Sequence, residues 1–248
     1  MPIILAIETS SELASCALHH GATTFSRESD GVRTHSQSVL PMVQELLREA
    51  GLALADVDAV AFGAGPGSFT GVRTACGVAR GLAFGADLPV LPLITPEAMA
   101  EACRARTGAG EVLAVLDARM NEVYWAQYRY LDDESGWQVA AGPTLSSPEA
   151  VAPLPADGPL AACGNGFAVY PQAFEGKAFA AQADATIVPH ARELALLGVR
   201  ALARGEGLPA AQAQPPLYLR NKVAYTSAER QVINAAKAAE AAAGKAAA

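Results

Sequence analysis

Paired cysteines, metal-spaced histidines, long apolar runs and an excess of basic charge are all missing from this chain. Its four cysteines, Cys16, Cys76, Cys103 and Cys163, lie far apart and form no Cys-x-x-Cys. Each sits among apolar neighbours, so they read as small buried hydrophobes of a reducing compartment, and a cytoplasmic location is expected. The four histidines, His19, His20, His35 and His190, make neither His-x-x-x-His nor His-Glu-x-x-His, so no bound catalytic metal and no other resident cofactor is expected. Gly-x-Ser-x-Gly is absent too. No stretch of about eighteen uncharged apolar residues occurs, which excludes an ordinary membrane-spanning helix. Lysine and arginine total 18 against 25 aspartates and glutamates, a net charge of −7. That balance is a poor match for a phosphate backbone, so RNA is expected to be met only indirectly.

What remains is an apolar, globular composition. Of 248 residues, 51% are hydrophobic and 17% charged, enough to bury the core of one large domain or two ordinary ones. Residues 3–7 form a short apolar run without a basic leader, and read as a first strand rather than a signal peptide. Strands over 13–18 and 23–27 follow across short turns. Thr34 is placed to cap a helix running to Ala50 and stopped by Gly51, with Pro41 inside it as a kink. A strand over 57–62, a glycine-rich turn, a helix over 69–86, a strand over 90–94 and a helix from Pro96 to about Arg106 complete the first half.

The break at Thr107-Gly108-Ala109-Gly110 is followed by a second meander, with strands over 112–116, 122–130 and 137–141. Helical patterns then lie near 148–152, 168–174 and 190–203, and a short strand covers 160–163. The same order of elements thus occurs twice, which predicts two similar α/β lobes, 1–107 and 108–220. Residues 235–248 hold ten alanines. The tail over 221–248 is therefore expected to be helical or mobile, with no function assigned to it.

The densest motif is Gly65-Pro66-Gly67-Ser68-Phe69-Thr70-Gly71-Val72-Arg73, between a strand and a helix. Its glycines permit close backbone approach, and Ser68 or Thr70 can cap the helix. It lacks the Gly-Lys-Ser/Thr ending of a phosphate loop, and Thr70 stands where a dinucleotide fingerprint needs its third glycine. An ordinary strand-to-helix turn is the default reading. Along the helix, Gly71, Ala75, Ala79 and Ala83 recur every four residues, with Gly77, Gly81 and Gly85 on a neighbouring stripe. Glycine is costly in a helix, so such repetition implies a close helix–helix contact, either internal or with a partner. Glu8-Thr9-Ser10-Ser11 is a weak candidate for contacting a phosphate-bearing cofactor through Glu8, Thr9 and Ser10, against the commoner reading of a plain turn. Asp117-Ala118-Arg119 at a strand end is a second weak ligand candidate.

Taken together, Ile4-Leu5-Ala6-Ile7-Glu8-Thr9-Ser10, His35-Ser36-Gln37 through Leu40-Pro41, the glycine-rich nonapeptide, Asp117-Ala118-Arg119 with Glu122-Val123-Tyr124, and Pro216-Leu217-Tyr218-Leu219-Arg220 resemble the TsaB (YeaZ) family, in family order over residues 3–220. One departure is Glu8, where relatives typically carry aspartate. The resemblance implies an α/β fold of the ASKHA (actin-like ATPase) class built from two RNase H-like lobes. It implies a role in threonylcarbamoylation of the adenosine beside the anticodon of tRNAs that read codons beginning with A. The transferase of that pathway is a paralogue, TsaD, which holds its metal through histidines after the fourth strand. The comparable stretch here is Pro92-Leu93-Ile94-Thr95-Pro96-Glu97-Ala98-Met99, with Thr95 and Met99 at the histidine positions. A subunit without catalytic residues is therefore expected, one that binds and activates TsaD, is joined by a TsaE-type ATPase, and also pairs with itself through the same surface. That surface is expected to comprise His35, Gln37, Leu40, Val43 and Leu47 of one helix. The next helix is expected to add Ser68, Phe69, Val72, Arg73, Ala75, Cys76 and Ala79. The competing reading is an active ASKHA enzyme, either an ATP-dependent kinase or a metal-dependent hydrolase.

The histidine pattern yields a direct expectation. Protein purified without a metal-affinity tag should carry no stoichiometric metal by elemental analysis, and a chelator-resistant equivalent of iron or zinc would overturn it.

Overall fold

The computed structural model describes residues 2–30 and 35–220. Thr34, the expected helix cap, and the alanine-rich tail lie outside the described residues. Two sheets organise the chain. The first holds β1 (Ile4–Glu8), β2 (Leu13–His20), β3 (Thr23–Asp30), β4 (Ala59–Gly63), β5 (Pro89–Leu93) and β10 (Leu208–Pro209), in the order β10-β5-β4-β1-β2-β3. The second holds β6 (Glu111–Arg119), β7 (Glu122–Tyr130), β8 (Trp137–Ser146) and β9 (Leu160–Cys163), in the order β8-β7-β6-β9. Each begins with an antiparallel three-strand meander and then gains parallel strands, β4 on β1 and β9 on β6.

β1 is buried along its whole length because both of its faces are covered. Leu5 and Ile7, with Cys16, Leu18, Val60 and Phe62, meet α1 (His35–Ala50) and α2 (Phe69–Ala86). Ile4 and Ala6, with Ala17, Ala59, Ala61 and Leu91, meet α6 (Ala191–Ala203). The alanines make that second face flat, and Gly198 lets α6 settle on it. A Cβ at Gly198 would stand 2.9 Å from Ile4 Cγ2 and 3.3 Å from Ala61 Cβ. Pro41 lies within the continuous span of α1, on its exposed side.

α3 (Thr95–Thr107) carries the chain from one sheet to the other and forms a wall for both. Its Ala98 joins the α6 cluster, while Met99, Ala100 and Cys103 pack on Val112, Ala114 and Tyr128 of the second sheet. Glu101 of α3 accepts two hydrogen bonds from the Arg200 guanidinium at 2.9 and 2.8 Å, and a third from Trp137 Nε1 at 2.7 Å. α3, α6 and β8 are thereby tied together, with the buried carboxylate fully engaged. On the far side of sheet two, Phe167 of α4 (Gly166–Val169) and Phe174 of α5 (Pro171–Phe174) cover Leu113, Val115 and Trp125.

The expected division into 1–107 and 108–220 separates the two meanders but not the packing. α6 and β10 lie beyond residue 107, yet α6 covers the first sheet and β10 extends its edge. The helix expected over 168–174 is two short turns, because Pro171 interrupts it. All four cysteines are buried and none forms a disulfide. Among the described residues no helix is long and apolar enough to cross a membrane.

The stripes of α2 occupy different environments. Gly71, Ala75, Ala79 and Ala83 face the sheet and are buried, whereas Gly77, Gly81 and Gly85 are exposed, with nothing within 4 Å of an added Cβ. Gly77→Ala and Gly81→Ala should each raise the unfolding free energy by about 1 kcal/mol. Ala79→Phe should lower it by about 1–3 kcal/mol through overpacking. Urea titrations of the three variants check both signs.

Candidate functional site

The turn after β1 docks on the glycine-rich loop. Ser68 N–H donates to the Ser10 carbonyl at 2.6 Å, and the Thr9 hydroxyl donates to the Gly71 carbonyl at 2.6 Å. Two glycines make this approach possible. A Cβ on Gly71 would stand 1.8 Å from the Thr9 carbonyl oxygen, and one on Gly67 would stand 2.6 Å from Ser10 Cβ and carbonyl oxygen. The conformation that brings the loop there starts at Gly65, with φ of 89°. Ser68 then caps α2, its hydroxyl accepting from Gly71 N–H at 3.3 Å.

Glu8 ends this turn fully buried, 0% exposed. One carboxylate oxygen accepts from Ser10 N–H at 2.5 Å and the other from the Thr95 hydroxyl at 3.4 Å. Gly63 makes room for the carboxylate, which a Cβ there would meet at 2.1 Å. Burial pushes the Glu8 carboxyl above its ordinary range, more strongly than these hydrogen bonds pull it down. Of the three candidate cofactor residues, Glu8 and Thr9 are thus engaged by the chain's own groups. Only Ser10 borders open space.

That space is a cleft of about 340 Å³ between the two sheets. Ser10, Ser11 and Glu12 line it from the first turn, and Gly67, Ser68 and Phe69 from the start of α2. Asp117–Met120 and Tyr124 line it from the second meander, with Asn165 beside them. Leu217, Tyr218, Leu219 and Arg220 close it from a strap that crosses both halves. Four separate motifs of the sequence therefore converge here.

The strap is anchored at each end. Leu217 N–H donates to the Ala64 carbonyl at 2.8 Å. The Tyr218 hydroxyl accepts from Arg73 Nε at 2.9 Å, and the Arg73 guanidinium lies 3.6 Å from the Phe69 ring centre. Arg220 donates to the carbonyls of Ala118 and Arg119 at 2.9 and 3.1 Å and pairs with Glu122 at 2.6 Å. Those carbonyls belong to the β6–β7 turn, in which Arg119, Met120 and Asn121 have φ of 62°, 59° and 59°. Three successive side-chain-bearing residues in the left-handed region are unfavourable without external support. Asp117 supplies more of it: its N–H donates to Asn165 at 2.9 Å, and its carboxylate accepts from Arg119 N–H at 2.8 Å and Tyr170 hydroxyl at 2.9 Å. Burial and this carboxylate push the Tyr170 phenol up to about 12. Arg119 reaches across the cleft to an ion pair with Glu12.

The expected partner residues divide by burial. Gln37, Leu40, Phe69 and Arg73 are exposed, while Leu47 and Ser68 are partly buried. His35, Val43, Val72, Ala75, Cys76 and Ala79 are buried within the chain's own core. The expectation that the Gly71–Ala83 stripe forms an outer face is therefore corrected: it packs on sheet one, and the open stripe contains Gly77 and Gly81 beside Phe84, which is 78% exposed. The sequence held a signal for this choice. The inner stripe is flanked by Val72 and Cys76, and the outer one by Thr70 and Arg73. His35 instead fixes the helix start, its Nε2 donating to the Glu12 carbonyl at 3.1 Å. Asn165, Tyr170 and Glu12 were not foreseen, because single polar residues far apart carry no periodic signal. Among the described residues no group of three or more His, Cys, Asp or Glu is placed to hold a metal.

Comparisons with known proteins agree on one family. A family model described as TsaD, tRNA N6-adenosine threonylcarbamoyltransferase, matches residues 22–243. The tRNA threonylcarbamoyladenosine biosynthesis protein TsaB of Escherichia coli K12 is 37% identical over 225 residues, 90% of this chain and 96% of that protein. Its namesake in Haemophilus influenzae is 53% identical over 125 residues, 50% of this chain and 52% of that protein. The solved structure of YeaZ from Pseudomonas aeruginosa superposes with a TM-score of 0.81 at 42% identity, covering 88% of this chain and all of that one. With its two-lobed actin-like ATPase fold, this chain belongs to the TsaB (YeaZ) family.

Proposed function

We propose that the chain is a noncatalytic subunit for forming N6-threonylcarbamoyladenosine in tRNA, and that it works by binding and activating a TsaD-type transferase. The observation that carries this reading is the closure of the first turn. Glu8 is the residue of the motif with acid–base chemistry, and it is sealed from solvent, without a cation partner among the described residues, and held by Ser10 and Thr95. A carboxyl sealed from solvent and held by the chain's own donors is out of reach of a metal–phosphate or a substrate water. The stretch after β5 adds Thr95 and Met99, both 0% exposed, where a metal-holding relative needs histidines.

The partner surface in this reading is the outer side of α1 and α2. Gln37 and Leu40 supply it from α1. Arg73, the Gly77–Gly81 furrow and Phe84 supply it from α2. Two glycines without neighbours let another helix approach closely, and an exposed phenylalanine beside them provides an apolar anchor. The same face serves pairing with a second copy. A TsaE-type ATPase joins the assembly, RNA is contacted through the transferase, and the assembly operates in the cytoplasm.

Gly81→Arg should leave the chain folded, with a thermal melt no lower than the parent's, while abolishing co-purification with the TsaD-type protein. Retained binding by a folded Gly81→Arg variant would move the interface elsewhere. Glu8→Gln separates the subunit from the enzyme reading. A proton held in the folded state above the unfolded value of 4.5 means stability is lost as pH rises through the folded pKa. Glu8→Gln should therefore flatten the decline of stability above about pH 4.5 and leave tRNA modification by the complex intact. A loss of activity of about 100-fold or more in the folded variant would point to acid–base catalysis by Glu8 and sink the subunit reading.

A further inference from the structure

Two of the four buried cysteines meet. Cys103 of α3 and Cys163, the last residue of β9, are 1% and 0% exposed, and their thiols share a hydrogen bond. Cys163 Sγ also lies 3.6 Å from the Met99 carbonyl, one helical turn before Cys103, so both sulfurs sit on the same side of α3. The end of β9 is packed tightly there: a Cβ on Gly164 would stand 2.7 Å from Met99 Cε and 2.0 Å from the Val115 carbonyl oxygen. The other two cysteines lie elsewhere, Cys16 against the Val39 carbonyl of α1 and Cys76 within α2. The thiols of the pair are not equivalent. The hydrogen bond from Cys163 holds the Cys103 thiol below its ordinary value, with burial opposing and Arg106 assisting. The same bond, together with burial, holds Cys163 above its own. Arg106 follows Cys103 by one turn and pairs with Asp184 at 2.9 Å, and Asp184 forms a backbone bridge with Cys163. This ion pair flanks both sulfurs, and a surface hollow lined by Ala102, Ala105, Arg106, Thr186 and Ile187 opens beside it. Arg106 is 54% exposed, and an ion pair of that kind is a weak cover.

We infer that Cys103 and Cys163 form a reversible disulfide when the protein meets hydrogen peroxide, a redox-sensitive staple between α3 and β9. The Cys103 thiolate attacks one peroxide oxygen. The O–O bond breaks, the leaving oxygen takes a proton and departs as water, and Cys103 becomes a sulfenic acid. The Cys163 sulfur then gives up its proton and attacks the Cys103 sulfur. The S–O bond breaks, the S–S bond forms and a second water leaves. Two thiols have lost two electrons and two protons, and one peroxide has become two waters. Because the resolving sulfur is already in contact, Cys103 is not left to oxidise further. A small dithiol reverses the bond by exchange, as a reducing compartment requires. The place of the staple gives it a consequence. α3 carries the chain from one sheet to the other, and β9 leads through Gly164 to Asn165, whose side chain holds the Asp117 N–H in the cleft wall. Joining the two also closes the chain from 103 to 163 into a loop, which restricts the unfolded state and favours the folded one.

The test uses the full chain alone, so its result is independent of any partner. Reduced protein is treated with millimolar hydrogen peroxide, quenched and denatured, and its free thiols are counted. The count should fall from four to two, with a mass lower by two hydrogens, and dithiothreitol should restore it. Proteolysis without reduction should release one cross-linked peptide pair, joining Cys103 to Cys163. Cys103→Ser and Cys163→Ser should each abolish that pair, and the Cys16→Ser/Cys76→Ser double variant should keep it. The oxidised parent should also unfold at a higher urea concentration than the reduced one. The peptide map is read on the parent chain, so it decides the matter even where a serine variant fails to fold. The inference is overturned if all four thiols survive the peroxide, if the lost thiols include Cys16 or Cys76, or if Cys103 reaches the sulfinic acid with no cross-link formed.

Discussion

The first half's wall of the cleft depends on one contact, the hydrogen bond from Ser68 N–H to the Ser10 carbonyl. It brings the first turn onto the glycine loop so closely that Gly67 and Gly71 cannot carry a side chain. The start of α2 and the burial of Glu8 both follow from it. So does the position of Thr9, whose hydroxyl reaches back to the Gly71 carbonyl. In a sheet protein of this kind the space beyond the strand ends is where a ligand is usually held. Here the chain's own backbone occupies the part nearest the acidic residue. The open part is displaced toward the second sheet, where Ser10 and Ser11 are the residues of the motif that line it.

Much of this order was legible in the sequence, for identifiable reasons. The strands of both meanders and the helix over 69–86 have strong periodicity and clear glycine or proline boundaries, and the structure reproduces α2 over Phe69–Ala86. The site was less legible because its parts come from four distant segments. The motif residues were visible one by one, but not that Arg220 would satisfy the carbonyls of a turn 100 residues earlier. The inner and outer stripes of α2 were confused because spacing alone does not say which side of a helix is covered. Periodicity marked both stripes, and only the polarity of Thr70 and Arg73 against Val72 and Cys76 separates them. The role of α6 was hidden for another reason. Its apolar face is ordinary, and nothing in Gly198 announces that it rests on Ile4 and Ala61 of the other half.

The alanine content then has a structural meaning. Ala6, Ala17, Ala59 and Ala61 on the sheet face Ala191, Ala195 and Ala201 on the helix. Flat surfaces on both sides bring α6 close to sheet one and so bind the end of the chain to its beginning. Large side chains at these places would lift the helix away. The strap over 213–220 would then lose its path across the cleft, since Gly207 closes on Pro89 and β10 pairs with β5 just before it.

α2 joins two surfaces of the chain. Its first residues form one wall of the cleft, and its outer stripe is the face proposed for the partner. Arg73 belongs to both. It is exposed on the outer side, yet its guanidinium stacks on Phe69 and its Nε holds Tyr218 of the strap. A partner helix lying along Gly77 and Gly81 would meet Arg73 at its end. Because α2 is pinned to the first turn through Ser68 and Gly71, it is braced against a shift of its own, and Arg73 is the contact free to change. Its partners, Phe69 and Tyr218, line the cleft, so a displaced guanidinium would act first on the aromatic wall of that space. Arg73 is thus the side chain that links the outer face of α2 to the aromatic wall of the cleft.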